Sequence, residues 1–506
     1  MTGREDGPQP RPRRWWLLAA VVFVVVATLN SAGYRFGVGD QAFYLPAIQR
    51  HLAPESFPRD RLLIDDQDRL NVFPRAAATL IRATGASKPA IFASLYLAAL
   101  FLLFGSARGF GRALGLSSWA QLAFVAALTL KHRVGLTGVN TLEGYAHPRV
   151  LAFAVGLTAV VCFLRARPVW AVALVAAASV VHPTTALWFA VWIGVALIAS
   201  ERRARTWLLI AAGTGAGAAA WAIGWGPLSA QAVRMDTAWL GVLVGKDYLF
   251  ATDWPPTMWA VALLYVAVVG AAFGLRRARG QAHPRESAMV AGLLALAVVF
   301  AVTLPLVAQR IAIAVQFQIS RVFWMLDVVA TAYAVWAMVD ARLPAGTRAP
   351  APRRAAAVAA IVVCFAVARG VWVTWVEHPG RALVQWALPQ TDWQDAMTWL
   401  ARTPVQTQVL ANPSHAWRYG TSVRVAAGRD VFLEDVKDTA MAMYSRRVAM
   451  RVAERIGALG DFSALTPESA RALAGRFGID VLVTERALDL PLAYRNARFS
   501  IYRLRP

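Results

Sequence analysis

Charge is scarce in this chain. Only 16% of its 506 residues are Asp, Glu, Lys or Arg, against about 25% in ordinary soluble proteins. Hydrophobic residues make up 58%, so water is a poor solvent for most of the sequence. Lysine is almost absent: Lys88, Lys131, Lys246 and Lys437 are the four. The net charge of +23 is therefore nearly all arginine. No basic helix with interleaved aromatics carries it, and this excludes nucleic acid as a partner. Cysteine is limited to Cys162 and Cys364, both inside apolar runs, which excludes a cysteine zinc site. Ser-x-x-Lys, Gly-x-Ser-x-Gly, His-Glu-x-x-His and P-loop patterns are all missing. The hydrolase and ATPase readings lose their support with them. No internal repeat is visible either, which weakens an inverted-repeat transporter.

What is present is a series of apolar runs. A helix needs about 20 apolar residues to cross a bilayer. The runs fall at 15–33, 89–106, 116–131, 149–164, 168–182, 183–200, 206–225, 257–274, 288–306, 321–339 and 355–376. The first follows Arg11, Arg13 and Arg14 as in a signal peptide, but further spans follow, so it reads as an uncleaved helix. His182-Pro183 splits 168–200 into a tight hairpin; one kinked helix is the alternative.

Arginine placement tests the count. With a cytoplasmic N-terminus, the inner segments are 1–14, 107–115, 165–167, 201–205, 275–287 and 340–354. They carry RPRR, ARGFGR, RAR, ERRAR, RRAR and RAPAPRR. Each is short and arginine-rich, as the positive-inside rule requires. The outer segments, 34–88, 132–148, 226–256, 307–320 and 377–506, are longer and hold most of the acids.

The expected architecture is an all-α polytopic membrane bundle of about eleven transmembrane helices. Residues 1–376 form the transmembrane domain, with a long first outer loop at 34–88. Residues 377–506 form a small α/β extracytoplasmic domain. Within it, Thr391–Thr403 reads as a capped helix, 408–410 as a strand, 434–456 as one helix, and 480–484 and 499–504 as strands. The expected location is the cytoplasmic membrane, multi-pass, with the C-terminal domain outside.

Short inner loops direct any chemistry outward. Asp40 follows the first run after a flexible Gly-Val-Gly, with Phe43 and Tyr44 behind it. Such a carboxylate can deprotonate a hydroxyl or bind a metal; the plainer reading is a helix cap. Asp60, Asp65, Asp66 and Asp68 read as a solvated loop, with metal binding as the alternative. Glu143 and His147 are four apart and would share a helix face. Arg149 stands at the start of the fourth run, placed for a lipid phosphate. His182 sits at the hairpin tip, where a lone histidine is more often structural. Asp236, Lys246, Asp247 and Asp253 show no diagnostic spacing. Gln318 and Arg321 lead into the tenth run, where Arg321 either contacts phosphate or snorkels to head groups. Asp327 lies within that run and must be paired or face a cavity, with Arg321 or Arg310 as partner.

The segments GDQAFYLP, HPR, VVHPTTALW and QISR, with the C-terminal outer domain, resemble the GT-C superfamily of membrane glycosyltransferases, and among them bacterial multi-pass members. The resemblance spans most of the chain. It implies an enzyme that transfers a sugar from a polyprenyl-phosphate donor outside the cytoplasm. Asp40 would be the catalytic base or acceptor-orienting carboxylate. Arg321 and Arg149 would bind donor phosphate, and His147 or His182 would line the cavity. Tyr44, Glu143 and Gln318 complete the expected substrate-binding set. The implied partners are the lipid-linked sugar and membrane lipids, with no protein partner identified. A divalent cation is left open. Two departures stand out: Gln41 replaces the second acid after Asp40, and the tail has no WWD-type motif, which argues against an oligosaccharyltransferase. The competing classes are a transporter or lipid flippase, and a non-catalytic scaffold. Few midplane polar groups support the former.

Overall fold

Apolar runs bounded by prolines and arginines become helices, and the computed structural model describes them over residues 13–69, 71–132, 134–341 and 353–505. The RPRR segment and the 340–354 segment lie largely outside the described residues.

The bundle helices are α1 (Arg13–Asn30), α5 (Lys88–Ala113), α6 (Ser118–Leu128), α7 (Pro148–Leu164), α8 (Pro168–Val181), α9 (Pro183–Ser200), α10 (Arg205–Gly224), α12 (Pro256–Ala278), α13 (Glu286–Ala308), α15 (Val322–Val339) and α16 (Arg353–Trp372). Between them, the first loop holds α2 (Gln41–Leu52), α3 (Arg61–Asp68) and α4 (Phe73–Thr84), and short α11 (Thr237–Val242) and α14 (Ala312–Gln316) follow later. All eleven expected runs fall on helices. Seven of the described helices are long and apolar enough to cross a membrane, counting Ala312–Val339 as one. Four more apolar helices are shorter: Arg14–Asn30, Ser118–Leu128, Pro148–Leu164 and Pro168–Val181. The chain is a multi-pass membrane protein. Residues 168–200 form two packed helices, with His182 extended between them.

At the end of the bundle away from the first loop, Arg276 does not face solvent. It is buried, 2.7 Å from Glu286, and donates to the Leu114 carbonyl. This ties the α12–α13 turn to the end of α5.

Past α16 the chain builds a unit around a five-stranded sheet. Its elements are β2 (Val384–Gln385), α17 (Asp392–Leu400), β3 (Gln408–Leu410), α18 (His415–Arg418), α19 (Val423–Ala426), β4 (Asp430–Val431), α20 (Asp435–Ala442), α21 (Arg446–Leu459), α22 (Pro467–Phe477), β5 (Val481–Thr484), β6 (Leu492–Arg495) and β7 (Ser500–Arg503). β3 runs parallel to β4 and β5, and β7 antiparallel to β5 and β6. The expected single helix over 434–456 is two helices. The Ser445 hydroxyl accepts from the Val448 amide and starts α21.

This unit is bolted to the first loop. β1 (Tyr34–Arg35) pairs in parallel with β2. One face of the sheet shares a core with Phe57, Leu63 and Ile64 of the first loop and Met235 and Trp239 of the third. Asp60 is fully buried in the join, a correction to the solvated-loop expectation. Its carboxylate accepts from Arg424 Nε at 2.7 Å and the Val431 amide at 3.0 Å, and it pairs with Arg451. Asp65, Asp66 and Asp68 pair separately with Arg50, Arg69 and His51. The four acids form no common cradle, and among the described residues no group of three or more His, Cys, Asp or Glu could hold a metal.

Candidate functional site

A cavity of about 370 Å³ opens where the first loop, the helix ends and the C-terminal unit meet. Asp40, Tyr44, His147, Arg149, His182, Gln318 and Arg321 all line it. Of the expected residues Glu143 alone is set back, where it accepts from Arg149 at 2.9 Å.

Asp40 stands at the N-cap of α2, yet its side chain makes no cap hydrogen bond. It turns into the cavity instead. The Gly-Val-Gly before it is tightly packed, contrary to the expected flexibility. Gly39 has φ +59°, and a Cβ there would lie 2.5 Å from the Tyr145 ring. Gln41 is buried; its side chain accepts from the Gly37 amide and donates to the Ala146 carbonyl, closing the turn onto the second loop.

The segment before His147 is not helical, so Glu143 and His147 share no helix face. Glu143 pairs with Arg149 instead. His147 caps α7: its Nδ1 accepts from the Arg149 amide at 3.0 Å. Nδ1 must then lack a proton, so the neutral ring carries it on Nε2. That Nε2 lies 3.0 Å from Asp40 Oδ2 and donates to it. On the other oxygen, Oδ1, Lys437 of α20 donates at 2.8 Å.

Burial alone raises a carboxylate's pKa. At Asp40 burial is outweighed by Lys437, the His147 hydrogen bond and Arg149, which hold it well below the usual range. Burial, and then Arg149, push His147 down to about 4. A charged acid thus sits beside an uncharged histidine at neutral pH.

His182 caps α9, its Nδ1 accepting from the Thr185 amide and hydroxyl. Its ring lies 6.1 Å from that of His147. Tyr44 is buried, edge-on to His147 at 5.7 Å. Gln318 has φ +48° and donates to the Tyr444 hydroxyl at 2.8 Å. Arg321 follows one short turn later. Among the described residues its side chain has no ion-pair or hydrogen-bond partner, and its Nε is buried and unpaired. Arg149 Nε is also buried and unpaired.

Asp327 is paired, but with neither expected arginine. His132 Nδ1 lies 2.8 Å from it, while Arg310 binds Asp253. The nearer arginines in sequence point elsewhere.

Lys437, Tyr444, Tyr248 and Trp417 also line the cavity and were not anticipated from sequence. The one available signal is the rarity of lysine: Lys246 and Lys437 are two of the four, and both lie here. Arg149, Arg321, Lys246 and Lys437 face one acid, Asp40. Such an excess suits a phosphate. It is a poor cradle for a divalent cation, because the lone carboxylate already has both oxygens engaged; the donor set does not fit a metal.

Among solved structures, the chain is similar to the arabinofuranosyltransferase AftD from Mycobacteria, at 15% identity over 98% of this chain and 40% of that one, with a TM-score of 0.48. It is also similar to the Archaeoglobus fulgidus oligosaccharyltransferase in the apo form, at 12% identity over 94% of this chain and 70% of that one, with a TM-score of 0.49. The chain spans less than half the length of the mycobacterial protein. No family model matches it, and no curated protein does. At these identities the likeness is one of fold alone.

Proposed function

We propose that the chain is a GT-C-type membrane glycosyltransferase that moves a sugar from a polyprenyl-phosphate donor to an extracytoplasmic acceptor. One observation carries the reading: a single ionised carboxylate faces an arginine with no partner among the described residues, in one cavity at the ends of apolar helices. The donor's lipid tail would lie in the bilayer and its phosphate against Arg321 and Arg149. The acceptor hydroxyl would attack the anomeric carbon, its proton passing to Asp40. The bond from that carbon to the phosphate oxygen breaks, and the polyprenyl phosphate leaves with the electron pair. A phosphate is a stable leaving group, so cationic stabilisation replaces a general acid.

The His147 hydrogen bond orients Asp40, and burial of the ring keeps it neutral, so it does not compete for the proton. Glu143 holds the Arg149 guanidinium. A cavity built from helix ends, rather than from the middle of the helices, favours an enzyme over a transporter. Eleven spans, a cytoplasmic N-terminus and residues 377–506 outside the cytoplasmic membrane complete the proposal.

The test is sugar transfer in membranes from radiolabelled polyprenyl-phosphate sugars. Asp40→Asn should lower kcat by about 10²-fold or more while donor binding survives. Full turnover in Asp40→Asn would refute the assigned role.

A further inference from the structure

Asp40 has no free oxygen. His147 donates to Oδ2 and Lys437 to Oδ1. Each oxygen could accept one more bond, but the ammonium held on Oδ1 neutralises the charge that an acceptor hydroxyl's proton would seek. The two donors differ in kind. His147 is fixed: its ring is buried, and its other nitrogen caps α7. Lys437 is an ammonium on a flexible four-carbon stem, which comes from the C-terminal unit. Its Nζ lies 4.8 Å from the centre of the Phe43 ring, and its side chain keeps 12% exposure. In the same cavity Arg321 has no partner among the described residues, and its Nε is buried and unpaired.

We infer that Lys437 is a two-position residue. It neutralises Asp40 while the cavity lacks donor. It turns to the donor phosphate beside Arg321 once donor binds, freeing one oxygen of Asp40 for the acceptor hydroxyl. Donor must then bind before acceptor is activated, and a free acceptor, water included, meets a masked base. The inference rests on the proposed donor site and adds to it an order of events and a positioning role for the C-terminal unit.

The physical signature is a coupling between two residues in phosphate binding. With Asp40 present, binding must break the Lys437–Asp40 pair; with Asp40→Asn it need not. Removing Asp40 also removes simple repulsion of the phosphate, and that part is the same whether or not residue 437 is charged. A double-mutant cycle separates the two.

The experiment measures the Kd of the full-length protein in detergent for a polyprenyl monophosphate. It compares wild type, Asp40→Asn, Lys437→Met and the double variant, with Lys437→Gln in place of Met should that variant not fold. Asp40→Asn should tighten binding roughly three- to tenfold more with lysine at 437 than with methionine. Equal tightening in both backgrounds overturns the inference and leaves the donor site standing. No binding by the wild type overturns both together. Inorganic phosphate, run in parallel, separates the two sources of the anion. Coupling with free phosphate and none with the lipid makes this a free-phosphate site and overturns the donor-gated order.

Discussion

Asp60→Ala should undock the C-terminal unit from the first loop. The carboxylate is fully buried and sits among Arg424, Arg451 and Arg455. It also accepts from the Val431 amide, while its own amide donates to Asp430. Removing one member of a buried charge pair costs about 3–5 kcal/mol, because the other charge is left without compensation. Arg424 retains Asp438, 2.6 Å away, and Glu434, so the lower end of that range applies: about 3 kcal/mol, or roughly a hundredfold in the docked fraction. Asp65→Ala is the control. Asp65 is 39% exposed and pairs with Arg50 at 3.2 Å, so its loss should cost under about 1 kcal/mol. Hydrogen exchange over 423–442 in detergent reads the difference as faster opening of α19 and α20 in Asp60→Ala. A pH dependence follows from the same residue. The arginines overcome the burial that would raise it and hold Asp60 at about 2, below its unfolded value. Its stabilisation is therefore present above about pH 4 and lost as pH falls toward about 2. Should Asp60→Ala and Asp65→Ala exchange alike, the buried cluster is not what holds the two parts together.

Arg321→Ala should raise the KM for donor by roughly ten- to a hundredfold, the weight of one or two charged hydrogen bonds, without lowering the unfolding temperature, since Arg321 has no partner to lose among the described residues. A fall in stability at unchanged KM would make it structural. Asp40 is held well below the usual carboxylate range and His147 at about 4, so both keep their working states down to mild acid. The kcat/KM for transfer should be flat from about pH 5 to about pH 7, and Lys437→Met should move the acid limb upward, because the largest opposing charge on Asp40 is gone. An acid limb between about pH 6 and about pH 7 in the wild type would contradict this electrostatic picture.

The helices were legible because a bilayer demands long apolar runs and prolines mark their starts: Pro148, Pro168, Pro183 and Pro256 all stand at the head of their helices. The charged cavity-lining residues that flank apolar runs were legible for a related reason. A charge beside an apolar run, as at Asp40, Arg149 and Arg321, ends up where helix ends gather. The failures came from distance along the chain. Glu143 and His147 invited a pairing by spacing alone, but spacing decides nothing without a helix. For Asp327 nearness in sequence points to Arg321 and Arg310, but its partner His132 lies 195 residues away along the chain. Lys437 reaches Asp40 across nearly the whole chain, and no local pattern around it differs from an ordinary amphipathic helix. The break at Ser445 was hidden because the apolar period continues across it.

The first loop grips α20 at two adjacent residues, and this decides how Lys437 can move. Asp438 faces inward, where its carboxylate accepts from Arg424 and from the Glu434 amide; Arg424 in turn is held by Asp60. Lys437, next in the chain, faces the cavity and Asp40. The helix that presents the lysine is thus anchored through buried ion pairs to the same loop that presents the carboxylate. Rigid displacement of α20 would break the Arg424–Asp438–Asp60 cluster, at a cost of several kcal/mol. Rotation of the Lys437 stem breaks a single pair, whose members keep 12% and 29% exposure, and leaves that cluster intact. The cheaper path is the side chain alone. A donor phosphate could therefore unmask Asp40 without opening the joint between the two parts of the protein.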